Sequence, residues 1–234
     1  ADRPFHDWYR FVLSFPPHLV RDYLQDFNLQ GNDRVLDPFC GTGTTLVEAK
    51  LNRMSAVGIE ANPFPHFASK VKVNWRVAPA ELSAFVEEIV EKSLQTLTAQ
   101  GIDDHSLTSS PLISLRQLSP QAEKALIANS ISPLPLHKSL VLLEHLQQNR
   151  TAPAYQYGLL ALGNALVNHI GNLKFGPEVG VGKPKLDVPV VAVWKHEAQK
   201  MVADLQTVQE GEYPETAVYL GDARNVSQIL APCS

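Results

Sequence analysis

The feature that most constrains this chain is the segment VLDPFCGTGTTLVEA at residues 35–49. Its apolar start predicts a buried strand, Gly41 and Gly43 predict a tight turn, and Thr44 predicts the start of a helix. The free amide groups of such a helix point back at the turn. We therefore predict a strand–turn–helix unit whose backbone can approach a bound ligand closely.

Two acidic residues accompany this unit at predicted strand ends. Asp37 ends the first strand, and a second strand, SAVGIE at residues 55–60, ends in Glu60. Glu60 follows Gly41 by about 20 residues, which is where a doubly wound fold places a carboxylate for ribose hydroxyls. The sequence therefore predicts an α/β fold with a Rossmann-like sheet and a nucleotide-type cofactor pocket.

Three cofactor classes were weighed for this pocket. A dinucleotide fingerprint would have a third glycine where the sequence has Leu46, and a P-loop would have a lysine in place of Thr44. Asp37 suits a cationic group better than a polyphosphate. S-adenosyl-L-methionine offers a cation for Asp37, a carboxylate for the helix amides and a ribose for Glu60, so it is the predicted cofactor.

At this level of detail the residues resemble a known family. Residues 37–44, DPFCGTGT, are similar to motif I of the class I amino-methyltransferases that use S-adenosylmethionine, above all bacterial site-specific DNA methyltransferases that act on adenine or cytosine. Three further segments are similar to motifs X, II and III of that family, in the family's order: residues 14–20, 58–63 and 220–224. The resemblance covers roughly residues 5–76 and 186–230.

The resemblance implies a set of cofactor-binding residues. Those of motif I would hold the methionine end, Glu60 the ribose and Asp222 the adenine amine, while Phe39 would pack beside the cofactor and the motif X segment would cover it. The full predicted set is Phe15, Pro16, His18, Asp37, Pro38, Phe39, Gly41, Gly43, Thr44, Thr45, Glu60, Asn62 and Asp222.

The catalytic motif IV of that family, Asp/Asn/Ser-Pro-Pro followed by an aromatic residue, does not occur in the sequence. We leave the catalytic residues unassigned and expect a chain truncated before motif IV, which binds cofactor better than it transfers methyl groups. The resemblance implies that the full-length enzyme transfers methyl directly to a DNA base amine without a metal. Two alternatives stay open: an RNA guanine amino-methyltransferase, whose loop is similar, and a cofactor-binding fragment without turnover.

The pattern of apolar residues and breakers predicts three regions. Residues 1–76 and 186–234 would form the cofactor-binding domain, incomplete at its C-terminus, and residues 77–185 a helical insertion that serves target recognition or acts as a cap. Helices are predicted at residues 17–27, 43–52, 63–75, 79–99, 120–129, 135–148, 153–170 and 187–208, the last one capped by Asp187, and residues 101–118 are predicted to be a loop.

Residues 171–185, GNLKFGPEVGVGKPK, predict a mobile, positively charged loop. Lys174, Lys183 and Lys185 could follow a phosphate backbone, and Phe175 could stack on a base. A solvated connector is the other interpretation, because three lysines are a small signal.

Composition limits the remaining possibilities. The net charge is −4, so any DNA-binding surface has to be a local basic patch or lie outside this chain. The two cysteines support neither a disulfide framework nor a metal site, and the sequence has no apolar run long enough for a membrane span and no signal peptide. We expect a soluble bacterial cytoplasmic protein that needs neither metal nor membrane and has DNA as its partner.

Overall fold

A computed structural model describes residues 2–11, 14–105, 113–176 and 178–230 of the chain. It divides into two compact units, Ala1–Ala78 with Asp204–Ser234, and Pro79–Ala203. The domain roles predicted from the sequence remain predictions. No helix in the described ranges is both long enough and apolar enough to cross a membrane.

Strands and helices alternate up to Lys72 in the described part of the chain, and a run of helices then separates the second strand from the third. The strands are β1 (Arg34–Asp37), β2 (Ser55–Glu60), β3 (Leu173–Phe175), β4 (Val179–Val181) and β5 (Thr216–Leu220). The α-helices are α1 (Pro17–Asp26), α2 (Thr44–Leu51), α3 (Pro63–Lys72), α4 (Pro79–Ala99), α5 (Pro120–Lys124), α6 (Pro133–Gln148), α7 (Tyr155–Ala165), α8 (Val190–Val208) and α9 (Val226–Ile229). Short 3-10 helices span His6–Trp8 and Ala223–Asn225, and a π-helix spans Leu166–Ile170.

The first unit is built on a parallel sheet in the order β1-β2-β5. Asp37 pairs with Gly58 across β1 and β2, and Glu60 pairs with Leu220 across β2 and β5. The carboxyl ends of the three strands therefore lie at one edge of the sheet, which is where ligands bind in open α/β sheets. The predicted α/β fold with a Rossmann-like sheet is confirmed.

Helix α2 packs closely on this sheet because β2 contains a glycine. A Cβ atom on Gly58 would lie 2.6 Å from Leu46 Cδ1 and 2.8 Å from Cys40 Sγ. Leu46 itself is fully buried. The close approach of helix and strand, which a dinucleotide fingerprint obtains from a third glycine in the turn, is thus obtained here from a glycine on the neighbouring strand.

The second unit is helical, with a hairpin near its end. Its core contains four buried side chains from α4, α6, α8 and the segment after α4: Leu97, Ile102, Val141 and Val191. Buried beside α8, the ammonium group of Lys138 forms an ion pair with Asp187 at 2.7 Å and donates to the carbonyl oxygen of Asp104 at 3.1 Å.

The predicted capping of α8 by Asp187 is wrong. The helix begins at Val190, and its first free amides, those of Val191 and Ala192, donate to the side chain of Asp104 at 3.3 and 3.1 Å. Asp187 instead accepts from the adjacent amide of Val188 and pairs with Lys138. The cap comes from a residue far away in the sequence, which a local pattern cannot reveal.

Most predicted helices are present, with differences at their ends. The helix predicted at 79–99 has those bounds, whereas α5 stops at Lys124 and α6 begins earlier than predicted, at Pro133. The helix predicted at 153–170 is α7 continued by the π-helix. Of the loop predicted at 101–118, residues 106–112 lie outside the described part.

The segment 171–185 is more ordered than the predicted mobile loop. It contains an antiparallel hairpin in which Leu173 pairs with Val181 and Phe175 with Val179. The alternation of glycines with β-branched residues in this segment is compatible with short strands, and the prediction of a loop gave the glycines too much weight.

Candidate cofactor site

The turn between β1 and α2 has one packed side and one open side. Gly41 and Gly43 have positive φ angles of 52° and 86°, which L side chains rarely adopt. A Cβ atom on Gly43 would lie 2.9 Å from Cβ of Ser69 on α3, so this glycine faces protein. A Cβ atom on Gly41 would meet nothing within 4 Å. The backbone at Gly41 is therefore where a ligand can approach the turn.

Asp37 lies at the end of β1 and closes the start of this turn. Its Oδ1 accepts a hydrogen bond of 3.0 Å from the amide of Phe39. The carboxylate is half-buried. Asp37 thus has a local turn role, and its predicted interaction with a cation is an additional role that stays a prediction.

Glu60 connects the end of β2 to the same turn. Its Oε2 accepts from the amide of Gly41 at 2.9 Å, and its Oε1 accepts from the amide of Asn62 at 2.8 Å. Each carboxylate oxygen has a second lone pair, so Glu60 can hold the turn and still accept from two hydroxyl groups. Asn62 itself caps α3, because its side chain accepts from the amide of Phe64.

Asp222 follows β5 at the same edge of the sheet. It caps the 3-10 helix Ala223–Asn225 and pairs with the guanidinium group of Arg224, which is the main reason why the pKa of Asp222 falls to about 2. The amide of Gly221 donates to the carbonyl oxygen of Glu60 at 3.0 Å, which joins the ends of β5 and β2. Asp37, Glu60 and Asp222 thus follow the ends of three neighbouring strands.

The segment predicted to cover the cofactor adjoins the turn. Ser14 Oγ lies 3.5 Å from Thr42 Oγ1. The rings of Phe15 and Phe39 are 42% and 77% exposed, so both leave apolar surface uncovered beside the turn. His18 is exposed, and its Nδ1 lies 3.3 Å from Asp2 Oδ2.

The N-terminal residues pack against the first unit. Phe5 and Trp8 are buried, and the backbone amide of Phe5 and the indole nitrogen of Trp8 each donate to Asp204 at 2.8 Å. His6 Nε2 lies 2.8 Å from Glu48 Oε1 on α2, so the N-terminus is held against the helix that follows the turn. The aromatic residues of this run, Phe5, Trp8 and Tyr9, are therefore part of the packed core.

A small pocket lies between the N-terminal segment, the turn and α3. Its lining residues are His6, Arg10, Ser14, Phe15, Pro17, Thr42, Thr44 and Lys72. Phe15 and Thr44 belong to the predicted cofactor set, whereas His18 does not line this pocket. Sequence reasoning missed Lys72, although a lysine next to the buried residues Ala68 and Val71 of α3 was a usable signal.

Two titratable groups near the turn are strongly affected by burial. Burial raises the pKa of the Cys40 thiol to about 12, assisted by the negative charge of Asp37. The thiol is therefore neutral. Burial lowers the pKa of Lys72 to about 7, with Arg10 as the second cause.

The residues predicted to contact nucleic acid lie in the second unit. Lys174 and Phe175 are exposed on β3, and Lys183 is exposed after β4. Lys185 donates to the carbonyl oxygens of His169 and Gly171 at 2.6 and 2.8 Å, so it holds the base of the hairpin. No group of three or more metal-ligating side chains occurs within the described ranges.

Comparison with known proteins gives matches to methyltransferases. A family model described as DNA methylase, N6_N4_Mtase, matches residues 7–68. The type II methyltransferase M.BsoBI of Geobacillus stearothermophilus is 35% identical over 71 residues, which are 30% of this chain and 14% of that protein. The type II methyltransferase M.MjaII of Methanocaldococcus jannaschii is 35% identical over 69 residues, which are 29% of this chain and 13% of that protein.

A third relative has a different printed activity. The tRNA (guanine(10)-N2)-dimethyltransferase of Methanothermobacter thermautotrophicus is 29% identical over 114 residues, which are 49% of this chain and 27% of that protein. The chain thus spans less than a third of each of these relatives, and no solved structure matches it. The segment that bears the motif X, I and II residues, 7–68, belongs to the DNA methylase family, as its motifs predicted.

Proposed function

We propose that this chain binds S-adenosyl-L-methionine at the turn between β1 and α2, and that the enzyme it represents methylates an exocyclic amine of adenine or cytosine in DNA. The observation that carries the proposal is the line of acidic residues Asp37, Glu60 and Asp222 after three neighbouring parallel strands. This line borders a glycine turn that is open at Gly41 and belongs to a segment matched by a DNA methylase model.

The chemistry of these groups fits the parts of the cofactor. The carboxylate of Asp37 favours the cationic, methionine end. Glu60 retains lone pairs for the two ribose hydroxyls, because each of its oxygens accepts only one backbone hydrogen bond. Asp222 offers its carboxylate to the adenine amine, which would replace one of the hydrogen bonds that the carboxylate accepts from Arg224.

The backbone and the aromatic rings complete this fit. The absence of a side chain at Gly41 allows ligand atoms to approach the turn, and the first amides of α2, at Thr44 and Thr45, face the same turn. The uncovered rings of Phe15 and Phe39 would gain contact with a bound ligand and shield it from water.

When bound, the cofactor would supply an electrophilic methyl group on its sulfonium. The residues of this chain would contribute by orientation: they hold both ends of the ligand so that the methyl group faces the incoming amine. A base inside a duplex cannot reach such a site, so the target base would have to leave the helical stack. The groups that would position its amine stay unassigned.

The choice of DNA as the substrate is supported by the printed names of two relatives, both type II methyltransferases. The exposed hairpin residues Lys174, Phe175 and Lys183 are the candidates for contact with the phosphate backbone or an unstacked base. The helical second unit is the candidate target-recognition region. Restriction–modification is the biological setting that these names suggest.

A second candidate is methylation of a guanine amine in RNA. It is favoured by the match to a tRNA (guanine(10)-N2)-dimethyltransferase, which covers a larger share of this chain than the DNA methyltransferase matches do. A third candidate, cofactor binding without turnover, follows from the unassigned catalytic motif. The three candidates differ in the nucleic acid that accepts the methyl group and in whether methyl transfer occurs at all.

Cofactor binding is tested by calorimetric titration of S-adenosylmethionine into the chain and into Asp37→Asn and Glu60→Gln. Asp37→Asn removes the charge and keeps an oxygen that can accept from the amide of Phe39. Glu60→Gln also removes the charge, but its single oxygen can accept from only one of the two amides that Glu60 holds, those of Gly41 and Asn62. Asp37→Ala and Glu60→Ala remove all of these turn contacts. We expect each isosteric variant to weaken binding by ~10-fold or more. Glu210→Gln, an exposed change away from the turn, is the control and should bind normally.

The acceptor is tested on the full-length enzyme that this chain represents, with radiolabelled cofactor and equal amounts of duplex DNA and transfer RNA, because the chain itself is expected to transfer methyl groups poorly. Label in DNA supports the proposal, and label in RNA alone favours the tRNA-type alternative. Tight cofactor binding with no label in either supports the binding-only alternative. Absence of cofactor binding by the intact chain contradicts the proposed function.

A further inference from the structure

The pocket beside the turn contains a buried lysine that belongs to none of the motif segments described above. Lys72 is the last residue of α3, and its side chain is 1% exposed, yet it lines the pocket together with Thr42 and Thr44 of the turn. No side-chain hydrogen bond or ion pair joins its ammonium group to another residue in the described ranges. A buried ammonium group without such partners is costly, because charge is far better solvated by water.

The rest of the pocket is positive or neutral. Arg10 also lines it, and its ion pair with Asp7 is long, at 3.7 Å. His6 lines the pocket too but is paired with Glu48 at 2.8 Å. Within the described ranges, the lining residues include no carboxylate. The lining residues therefore carry an excess of positive charge, which Asp7 opposes from outside the lining and which an anionic ligand group would compensate.

The remaining lining groups suit a small anion. Thr42, Thr44 and Ser14 provide hydroxyl groups that donate hydrogen bonds. Thr44 is also the first residue of α2, so the free amides of that helix start at this point. Helix amides, hydroxyls and a buried ammonium group together form a set of donors whose charge and hydrogen-bonding capacity match those of a carboxylate.

We propose that Lys72 pairs with the α-carboxylate of the methionine part of the cofactor and thereby selects ligands that carry this carboxylate. The inference rests on the proposed function and adds a specificity-determining residue to it. Asp37 would then favour the cationic groups of the methionine part, and Lys72 its anionic group, so the two charges fix the direction in which the ligand enters. The lowered pKa of Lys72 agrees with this role, because a carboxylate at this place would restore the charged form.

The test compares three related ligands. S-adenosylmethionine carries the carboxylate, and decarboxylated S-adenosylmethionine lacks only this group and keeps the sulfonium and the amine. Methylthioadenosine is a neutral thioether that lacks both the amino-acid part and the sulfonium charge. Each is titrated calorimetrically into the intact chain, Lys72→Met and Lys70→Met. Lys70 is exposed on the same helix and serves as the matched control.

We expect the intact chain and Lys70→Met to bind S-adenosylmethionine ~10- to 100-fold more tightly than its decarboxylated form. In Lys72→Met this preference should disappear through weaker binding of S-adenosylmethionine alone. Methylthioadenosine should bind all three proteins equally, which also shows that the variant is folded. If the role of Lys72 is purely structural, Lys72→Met should weaken the binding of all three ligands.

Two outcomes overturn the inference and leave the proposed function standing. One is an intact chain that binds the two sulfonium ligands equally, a comparison that needs no variant. The other is a Lys72→Met protein that keeps the preference for the carboxylate. If the intact chain binds none of the three ligands, the proposed function fails first, and the role of Lys72 falls with it.

Discussion

The same substitution, Lys72→Met, is expected to stabilise the protein. Methionine has a similar length and can fill the buried space without carrying a charge, and exchange of a buried charge for an apolar side chain is often stabilising. The free energy of unfolding should therefore rise at neutral pH. A residue that costs stability in the unliganded protein is what a binding function for Lys72 would predict.

The magnitude follows from the pKa of the side chain. Burial lowers the pKa of Lys72 from 10.5 to about 7. One pKa unit corresponds to about 1.4 kcal/mol, so at pH 7 the folded state loses up to about 4 kcal/mol relative to a lysine with an unshifted pKa. We expect Lys72→Met to regain a part of this amount.

The pH dependence provides a sharper check. Between pH 7 and pH 10.5 the unfolded chain keeps the Lys72 proton while the folded chain has released it, so the stability of the wild-type chain rises with pH in this window. The methionine variant lacks this contribution. The stability difference between variant and wild type should therefore shrink by about 1.4 kcal/mol per pH unit as the pH increases. Arg10 and Asp7 are the charged groups that act on Lys72.

The assay is urea unfolding of the wild-type chain, Lys72→Met and Lys70→Met at pH 7, 8 and 9. Lys70→Met should show no pH-dependent difference from the wild type, because its ammonium group is solvated in both states. A stability difference for Lys72→Met that is constant over these pH values would refute the reasoning. It would mean that the ammonium group of Lys72 is not penalised in the folded state.

Three further predictions concern packing and capping. Gly58→Ala should lower the free energy of unfolding by ~1–3 kcal/mol in urea, because the new methyl group would overlap Leu46 and Cys40. A second substitution, Leu46→Val, should restore part of this loss. Equal stability of Gly58→Ala and the wild type would contradict the close packing of α2 on β2. Cys40 should react with a maleimide only as fast as the protein unfolds, because its thiol is buried and burial raises its pKa to about 12. Peptide mapping identifies the labelled cysteine. Rapid labelling of Cys40 in the native protein would contradict its burial. Asp104→Ala should lower the free energy of unfolding by ~2–5 kcal/mol, because it removes the cap of α8 and one negative charge beside Lys138. A loss below ~1 kcal/mol would show that Asp187 takes over both roles of Asp104.

Local patterns were sufficient for the elements around the turn. The apolar run before Asp37, the two glycines and the threonines that follow dictate strand, turn and helix within a few residues, and the structure has β1 and α2 there. The strand ending in Glu60 and the helix starting at Pro63 were equally predictable, because a proline at the first helical position and an asparagine before it are start signals. The parallel order of the sheet also follows from alternating strands and helices.

Patterns were insufficient where a side chain acts on a distant segment. Asp104 caps α8 although it lies between other elements, and Asp187, which stands in the expected position, pairs with Lys138 instead. The hairpin β3–β4 was missed because cross-strand pairing outweighed the turn preference of its glycines. For the cap of α8 the deciding partner is remote in sequence, whereas the two strands of the hairpin are neighbours in the chain and are held together by their pairing, from Leu173 with Val181 to Phe175 with Val179.

The sequence by itself determined the strand–turn–helix unit, the acidic residues that follow its strands and the family of the segment that contains them. These properties are local, since each depends on backbone preferences over a few neighbouring residues. Only the tertiary structure decided that Gly58 provides the close contact with α2, that Glu60 holds the amide of Gly41, and that Lys72 faces a pocket without a carboxylate. Burial and charge balance depend on which segments meet in space, and a linear pattern does not contain that information.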